Sequence, residues 1–583
     1  MSATQTLNKK IPAHLLKYVA KQDYTQYTPV NQAVWRYVMR QNYHFLKDRA
    51  HSAYRNGLQK SGILMERIPR VEEMDACLQP FGWGAVPIDG LIPGVAFFDF
   101  QAHGLLPIAT DIRTLEHISY TPAPDIIHEA AGHAPILCDE TYAHYVKLFG
   151  KIGRNALASK EEHEVFQATR HLSKLMEDPN STPDIIAAAE KELQEKVEQS
   201  DVISEATQIS RLYWWTVEYG LIGDCDRPSI YGAGLLSSTG ESRHCLSDQV
   251  KKLPFDLETC IQTDYDVTRP QPQLFVCKDF GQLIEAVELF SRRMAFKTGG
   301  TQGLIKAVRS GDTATAEYSS GLQVSGTFDK LTFDDHGEAV YLQTMGPTAL
   351  AHGGKELPGH GKAMHSDGFG SPVGKAKGFH KPLELLSPAD LHLYDIHIGS
   401  KIEWNFESGI RVHGVIKDWI CRQNRILLLT LSSCTVVYRD KILFRPEWGD
   451  YDLAVGEKIT SVFAGAADPE QFFADVVEHE QQSGQTHQLP SLSTLDHLYR
   501  AVRYVREGKE SITILPTIVR TLNDLYPEDW LLRIEILELL AQTPLFAKHP
   551  IKKQVEEHLL QLTEKKPRLK SLIDNGMKLV NFC

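Results

Sequence analysis

The hydrophobic period of this chain changes near residue 315 and changes back near residue 466, and that double switch constrains its fold more than any other feature. Up to about residue 310 the apolar residues recur at helical spacing. In the segment 29–62, Val34, Tyr37, Val38 and Phe45 fall on one helical face and Gly62 closes the run. Between 315 and 465 the pattern becomes β-branched and aromatic. The runs LQVSGTFDKLTF (322–333), EAVYLQTM (338–345), KIEWNFE (401–407), IRVHGVIKDWI (410–420) and RILLLTLSSCTVVY (425–438) are divided by turn residues, as in a small sheet or barrel. Helical patterns return in STLDHLYRAVRYVREG (493–508) and EDWLLRIEILELLAQT (528–543). The expected fold is therefore a mainly α part, residues 1–310, followed by a β-rich domain at 315–465 and a helical C-terminal region at 466–583. No internal repeat of fixed period accompanies the switch.

Within the first part, residues 82–110 are dense in Gly and Pro and read as loop-rich. Residues 151–202 are charged and Ala/Glu/Lys-rich, broken once at DPNSTPD, and read as an inserted helical hairpin with Asp184 capping its second helix. Such polar helices form a solvated face and receive no chemistry here. Lys plus Arg number 62 against 74 Asp plus Glu, a net charge of −12 over 583 residues. That mild acidity argues against a nucleic-acid partner. No apolar stretch reaches 18 residues, and the N-terminus lacks the apolar core of a secretory signal, so neither membrane insertion nor secretion is expected. The nine cysteines are dispersed and form no CxxC, which fits reduced thiols in the cytoplasm.

The sharpest local signal is PDIIHEAAGH, residues 124–133. It approaches the HExxH motif of zinc peptidases, whose histidines sit four apart on one helical face. Here the histidines, His128 and His133, are five apart. In an ideal α-helix five residues rotate about 500°, some 140° past a full turn. The pair can share a metal only if the helix is distorted or ends near Gly132. A second segment, RLYWWTVEYG (211–220), carries one carboxylate, Glu218, in an aromatic run. A charge in such surroundings needs compensation, and a cation would supply it. Two histidines and one carboxylate form the facial triad of non-haem Fe(II) oxygenases. The alternative is a zinc hydrolase with the same three ligands and Glu129 as general base, which the broken spacing disfavours.

Four segments, TPAPDIIHEAAGHAPIL (121–137), YWWTVEYG (213–220), YGAGLLSSTGE (231–241) and YDVTRPQPQLFV (265–276), together resemble the pterin-dependent aromatic amino acid hydroxylases, in that family's order. PIDGLIPGVAFF (87–98) matches more weakly, and the resemblance covers about residues 25–295. It implies the hydroxylase fold for the α part and ring hydroxylation of a free aromatic amino acid. Fe(II) and a tetrahydropterin would be the cofactors and O2 the co-substrate, with one oxygen atom going to the ring and the other to the pterin. His128, His133 and Glu218 would hold the iron. Glu129 would sit by the pterin and help place water or oxygen, as both a cofactor-binding and a catalytic residue. Phe97 would stack on the pterin ring, with Gly90 and Ile92 giving it backbone contacts. Arg113 would clamp the substrate carboxylate and Asp125 would hold Arg113. Thr121, Gly234 and Ser237 would line the amino-acid backbone site, and Trp214 and Pro122 would wall the aromatic pocket. Trp214, and Val267 where tyrosine hydroxylases carry aspartate, favour phenylalanine over tyrosine or tryptophan.

Three departures stand out. His133 and Glu218 lie 85 residues apart, longer than in the family, and the 151–202 hairpin accounts for it. Family-like sequence starts near residue 25, so control by a preceding amino-acid-binding domain is not expected. About 270 residues follow residue 310. Their role is open: the β-rich segment could bind a ligand, regulate the enzyme or form a homo-oligomer contact, and the terminal helices could be a binding module. Within them, 346–382 reads as a Gly-rich loop; metal binding by its His352, His360, His365 and His380 is the alternative, disfavoured because their spacing fits no recognised ligand pattern.

Overall fold

The computed structural model describes residues 11–88, 90–119, 124–177, 181–199, 203–267, 269–474, 492–543 and 549–580. Its central element is the helix Pro29–Leu46, started by a reciprocal capping box between Thr28 and Asn31 with Pro29 in the first turn. The single run expected over 29–62 is two helices, Pro29–Leu46 and Ala53–Lys60. Between them the backbone of Arg49 and His51 exchanges hydrogen bonds with Ile230, at 2.9 and 2.8 Å. Pairing with the end of a strand therefore overrides the helical pattern there.

The Gly/Pro-rich stretch 82–110 is more regular than its composition suggests. Strands Gly84–Ile88 and Leu105–Ala109 pair in parallel, joined by the helix Gly94–Ala102. The prolines Pro87 and Pro107 are tolerated because both strands are edges of a two-stranded sheet. Gly90, at φ +62, takes the left-handed conformation in the connection. The polar insert forms helices Lys160–Glu177 and Pro183–Glu198, so residues 151–153 close the preceding helix Glu140–Gly153 instead. Thr182 occupies the cap position of the second insert helix and Asp184 lies inside its first turn, correcting the expected cap. There its charge still complements the helix dipole.

Two antiparallel sheets fill 313–464. One runs in the order Lys355–Glu356, Ala339–His352, Leu322–Phe333, Thr313–Tyr318, Ile459–Ala464, with Gly370–Pro372 added on the second of these. The other runs Lys401–Asn405, Ile410–Arg422, Arg425–Tyr438, Lys441–Phe444, with Tyr451–Ala454 also paired to Arg425–Tyr438. Leu427 and Leu428 of the second sheet share an apolar cluster with Val324, Leu342 and Leu350 of the first. Leu304 and Ala307, from the helix Gly300–Ser310, join the same cluster and seat the sheets on the helical part.

The last helices return to the first part. Thr494–Arg506, Leu531–Gln542 and Lys570–Leu579 pack on Pro29–Leu46, and their apolar residues belong to its core. Leu531–Gln542 is buried over ten successive residues, Leu531 to Leu540, although Arg533, Glu535 and Glu538 lie among them. Its two acids, Glu535 and Glu538, are compensated by Arg36, Arg40 and Arg506; Arg36 lies 2.6 Å from Glu535 and also pairs with Glu538. Among the described residues no helix is long and apolar enough to cross a membrane, and the eight described cysteines are unpaired. Removing Arg36 leaves two buried carboxylates short of a counter-charge. Arg36→Ala should lower unfolding stability of the full chain by about 3–5 kcal/mol in urea titration. A change under about 1 kcal/mol would mean that this network does not hold the terminal helices.

Candidate metal centre and active site

The spacing problem of His128 and His133 is solved in the backbone. Ile127–His133 is wound as a π-helix. Its i→i+5 hydrogen bonds bring residues five apart onto one face. The two Nε2 atoms lie 3.3 Å apart, with the rings at 84°. A second π-helix, Trp214–Glu218, directly follows the helix Glu205–Tyr213 and closes with Tyr219 N–H donating to the Trp214 carbonyl at 2.8 Å. It delivers Glu218 with Oε2 3.3 Å from His128 Nε2 and Oε1 3.1 Å from His133 Nε2. Separations of about 3 Å are what three ligands about 2.1 Å from one cation, on neighbouring corners, produce.

Both π-helices press against the short helix Ala233–Ser237. A Cβ at position 132 would stand 2.5 Å from the Ala233 carbonyl oxygen, so Gly132 is required by close approach and not by a special backbone angle. Gly234 fits for the same reason, against Tyr219. Ser237, expected to line the amino-acid backbone site, lies in contact with a histidine. Its Oγ donates to the Ala233 carbonyl at 2.8 Å and sits 3.2 Å from His128 Nδ1. That leaves Nδ1 as the donor, which keeps Nε2 free of a proton for a metal. Asn42 Nδ2, from the central helix, donates to the Leu236 carbonyl at 3.0 Å and fixes this helix in turn.

The electrostatics also call for a cation. Burial works against the charge on Glu218, yet the two histidines hold its carboxyl far below the usual range. Burial likewise opposes charge on His128, but Glu218, with help from Glu129 and Asp125, pushes it up to about 9. Burial raises Glu129, whose Oε2 has no hydrogen-bond partner and lies 3.8 Å from His133 Nε2. Glu218 and Glu129 thus flank the two imidazoles, and a divalent cation fits the donor set.

Around this centre, Asp125 holds Arg113 through a bidentate pair, Nε and Nη2 each 2.8 Å from a carboxylate oxygen, and also accepts the backbone N–H of Arg113 and of His128. Both side chains are buried. Trp214 stacks on Tyr219 and Tyr265, at 4.5 and 4.4 Å, and its Nε1 is buried without a partner. Phe97 meets Tyr213 edge-on at 5.7 Å, and Ile92 lies buried in the cluster below it. Val267 is 41% exposed and is not drawn against the centre; its neighbour Tyr265 is. Thr121 and Pro122 lie outside the described residues. Tyr265 and Asn42 escaped the sequence reading. Tyr265 sits inside a quoted segment, while nothing local marks Asn42.

His128, His133 and Glu218 form a candidate metal centre of the two-histidine, one-carboxylate type. A model of the biopterin-dependent aromatic amino acid hydroxylase family matches residues 7–171 and 198–298. The match starts earlier than residue 25 and skips much of the inserted hairpin. Phenylalanine-4-hydroxylase of Mesorhizobium japonicum is 30% identical over 274 residues, 46% of this chain and 83% of its own. The Pseudomonas aeruginosa enzyme of the same name is 30% identical over 277 residues, 47% of this chain and 88% of its own. A crystal structure of Chromobacterium violaceum phenylalanine hydroxylase with iron(III) and 7,8-dihydrobiopterin aligns at 26% identity and a TM-score of 0.38, over 47% of this chain and 85% of that one. The chain belongs to the biopterin-dependent aromatic amino acid hydroxylase family. Membership weighs against the zinc-hydrolase alternative.

Two outcomes follow for metal binding. Ser237→Ala frees the His128 tautomer and should weaken Fe(II) affinity about 10- to 100-fold in equilibrium dialysis; unchanged affinity would separate Ser237 from the metal. Because His128 without metal holds its proton up to about pH 9, metal must displace that proton. Apparent affinity should therefore rise about tenfold per pH unit toward 9, with one proton released per metal. A flat profile between pH 6 and 8 would contradict this.

Proposed function

We propose that this chain is a phenylalanine 4-monooxygenase, converting L-phenylalanine to L-tyrosine with Fe(II), a tetrahydropterin and O2. The observation that carries the reading is the convergence of His128, His133 and Glu218, on two π-helices, to within 3.3 Å of one another. The names of the relatives at 30% identity support the choice of phenylalanine.

In this reading the three donors hold the iron, and bound iron and tetrahydropterin supply the activation of O2. The remaining work is the chain's own. Asp125 occupies the Nε/Nη2 edge of Arg113, so the Nη1/Nη2 edge takes the substrate carboxylate in a second fork. Gly234 and Ser237 flank the amino-acid backbone. Trp214, braced by Tyr219 and Tyr265, walls the ring pocket. Phe97 gives the pterin a stacking face, with Gly90 and Ile92 beside it. Glu129 Oε2, buried and raised in pKa, is placed to hold a proton beside the metal. Burial of Arg113, Asp125, Glu129 and Ser237 excludes water from these groups and fixes their geometry before reaction.

We further assign catalysis to residues 1–310 with the inserted hairpin. The β-rich 315–465 and helical 466–583 then act as support built onto it. Unpaired cysteines fit a cytoplasmic location. Exposed Leu525 and Leu560 on the terminal helices are consistent with a homo-oligomer contact.

The direct test is product analysis with phenylalanine, tyrosine and tryptophan, each with Fe(II) and tetrahydropterin. Tyrosine should form from phenylalanine, pterin-dependently, faster than either other substrate reacts. Preference for tyrosine or tryptophan, or pterin-independent peptidase activity with zinc, would overturn the reading. Asp125→Asn should raise KM for phenylalanine about tenfold or more, by releasing the Arg113 fork. An unchanged KM would remove Arg113 from substrate binding.

A further inference from the structure

The segment 346–382, expected to be a Gly-rich loop, is held by its own backbone pairing. The strand Ala339–His352 runs into it, Leu350 N–H donates to the His360 carbonyl at 2.9 Å, and Thr348 N–H donates to the His365 carbonyl at 3.0 Å. Of its four histidines, His352 ends that strand, and His380 bonds Tyr394 and faces Asp390. The other two, His360 and His365, converge on Asp452 of the strand Tyr451–Ala454.

The geometry of that convergence is unlike a hydrogen-bonded cluster. His360 Nδ1 stands 3.4 Å, and His365 Nε2 3.6 Å, from the same oxygen, Asp452 Oδ2. Good N–H···O bonds span about 2.7–3.2 Å, so both distances are too long. Both ring nitrogens are buried and have no hydrogen-bond partner. His365 as a residue is only 9% exposed, and Asp452 7%. The other carboxylate oxygen is already fixed, accepting from Thr430 Oγ1 at 2.6 Å. Two orphaned imidazole nitrogens and one free carboxylate oxygen therefore point into one small space. Ligands about 2.0–2.1 Å from a tetrahedral cation are separated by about 3.3–3.4 Å, close to what is seen. This is wider than the 3.1–3.3 Å of the His128, His133, Glu218 centre.

We propose that His360, His365 and Asp452 form a second metal site, taking a zinc-type divalent cation with water in the fourth position. Imidazole and carboxylate suit such a cation, and the Thr430 hydroxyl orients the carboxylate as outer partners of metal ligands do. The site joins elements of two different sheets. The histidines ride on the segment carried by the first sheet, and Asp452 belongs to the second. Beyond residue 352 that segment has only the short strands Lys355–Glu356 and Gly370–Pro372 before residue 382. A cation there would clip a long connection to the opposite sheet, so its binding energy becomes folding energy for the β-rich part. The inference stands apart from the hydroxylase reading, because it uses none of that centre's residues.

The test uses the full chain with the first centre disabled by His133→Ala and Glu218→Ala, stripped with chelator and dialysed against Zn(II). One equivalent of zinc should remain, the thermal midpoint should rise with zinc, and Co(II) should give the strong visible absorption of tetrahedral cobalt. His365→Gln and Asp452→Asn, each added to that background, should weaken zinc binding at least tenfold. Thr430→Val, which leaves all three ligands in place, should weaken it about 10- to 100-fold. Cooperative thermal unfolding of each variant without metal shows that it is folded. Absence of bound zinc in the background chain, an equivalent that survives both ligand substitutions, or a weak octahedral cobalt spectrum would each overturn the proposal.

Discussion

His128 and His133 can face one cation only because the backbone between them is wound with one extra residue per hydrogen-bonded ring. An α-helix would turn one imidazole away, and the carboxylate of Glu218 would then face a single positive partner. The same device recurs at Trp214–Glu218, so each wall of the centre is a π-turn. π-turns are rare and weakly favoured on their own, and the surrounding packing has to impose them. Here that packing is the helix Ala233–Ser237, whose carbonyls approach so closely that only glycine fits at position 132. Asn42 ties this helix to the central helix Pro29–Leu46, and Arg36 and Tyr37 of that helix bind the terminal helices.

The residues of the centre were legible in the sequence, and their arrangement was not. The histidine–glutamate string and the lone acid in an aromatic run mark a metal site by residue type. Nothing in residue type distinguishes an i→i+5 turn from an i→i+4 turn, so the α-helical arithmetic left the two histidines on different faces. β-branched and aromatic content marked Leu322–Phe333 and Arg425–Tyr438 to the residue, while the short strands Thr313–Tyr318, Lys441–Phe444, Tyr451–Ala454 and Ile459–Ala464 were not singled out. The strand Ala339–His352 nevertheless ran seven residues beyond its expected end at 345, through a Gly-Pro pair. Composition misled most at 82–110, where edge-strand prolines resembled loop prolines.

Long-range pairings were the least legible. Arg36 meets Glu535 and Glu538 across about 500 residues of chain. A single-sequence reading sees three separate charges, two of them inside an apolar helix. Asp452 likewise lies far from His360 and His365, so no local spacing could associate them. In both cases the informative fact was a polar group in apolar surroundings. Such groups demand a partner, and the sequence does not say which. The terminal helices consequently read as a separate region, although their apolar residues lie in the same core as Pro29–Leu46.

The proposed iron centre depends on the two π-turns presenting three ligands to one ion. Anomalous diffraction at the iron edge, from crystals of the full chain loaded with Fe(II) without oxygen, measures this directly. A single iron peak about 2.1 Å from His128 Nε2, His133 Nε2 and a Glu218 carboxylate oxygen is the predicted result. Iron bound by only one of the two histidines, or the Ile127–His133 turn in regular α-helical register, would contradict it.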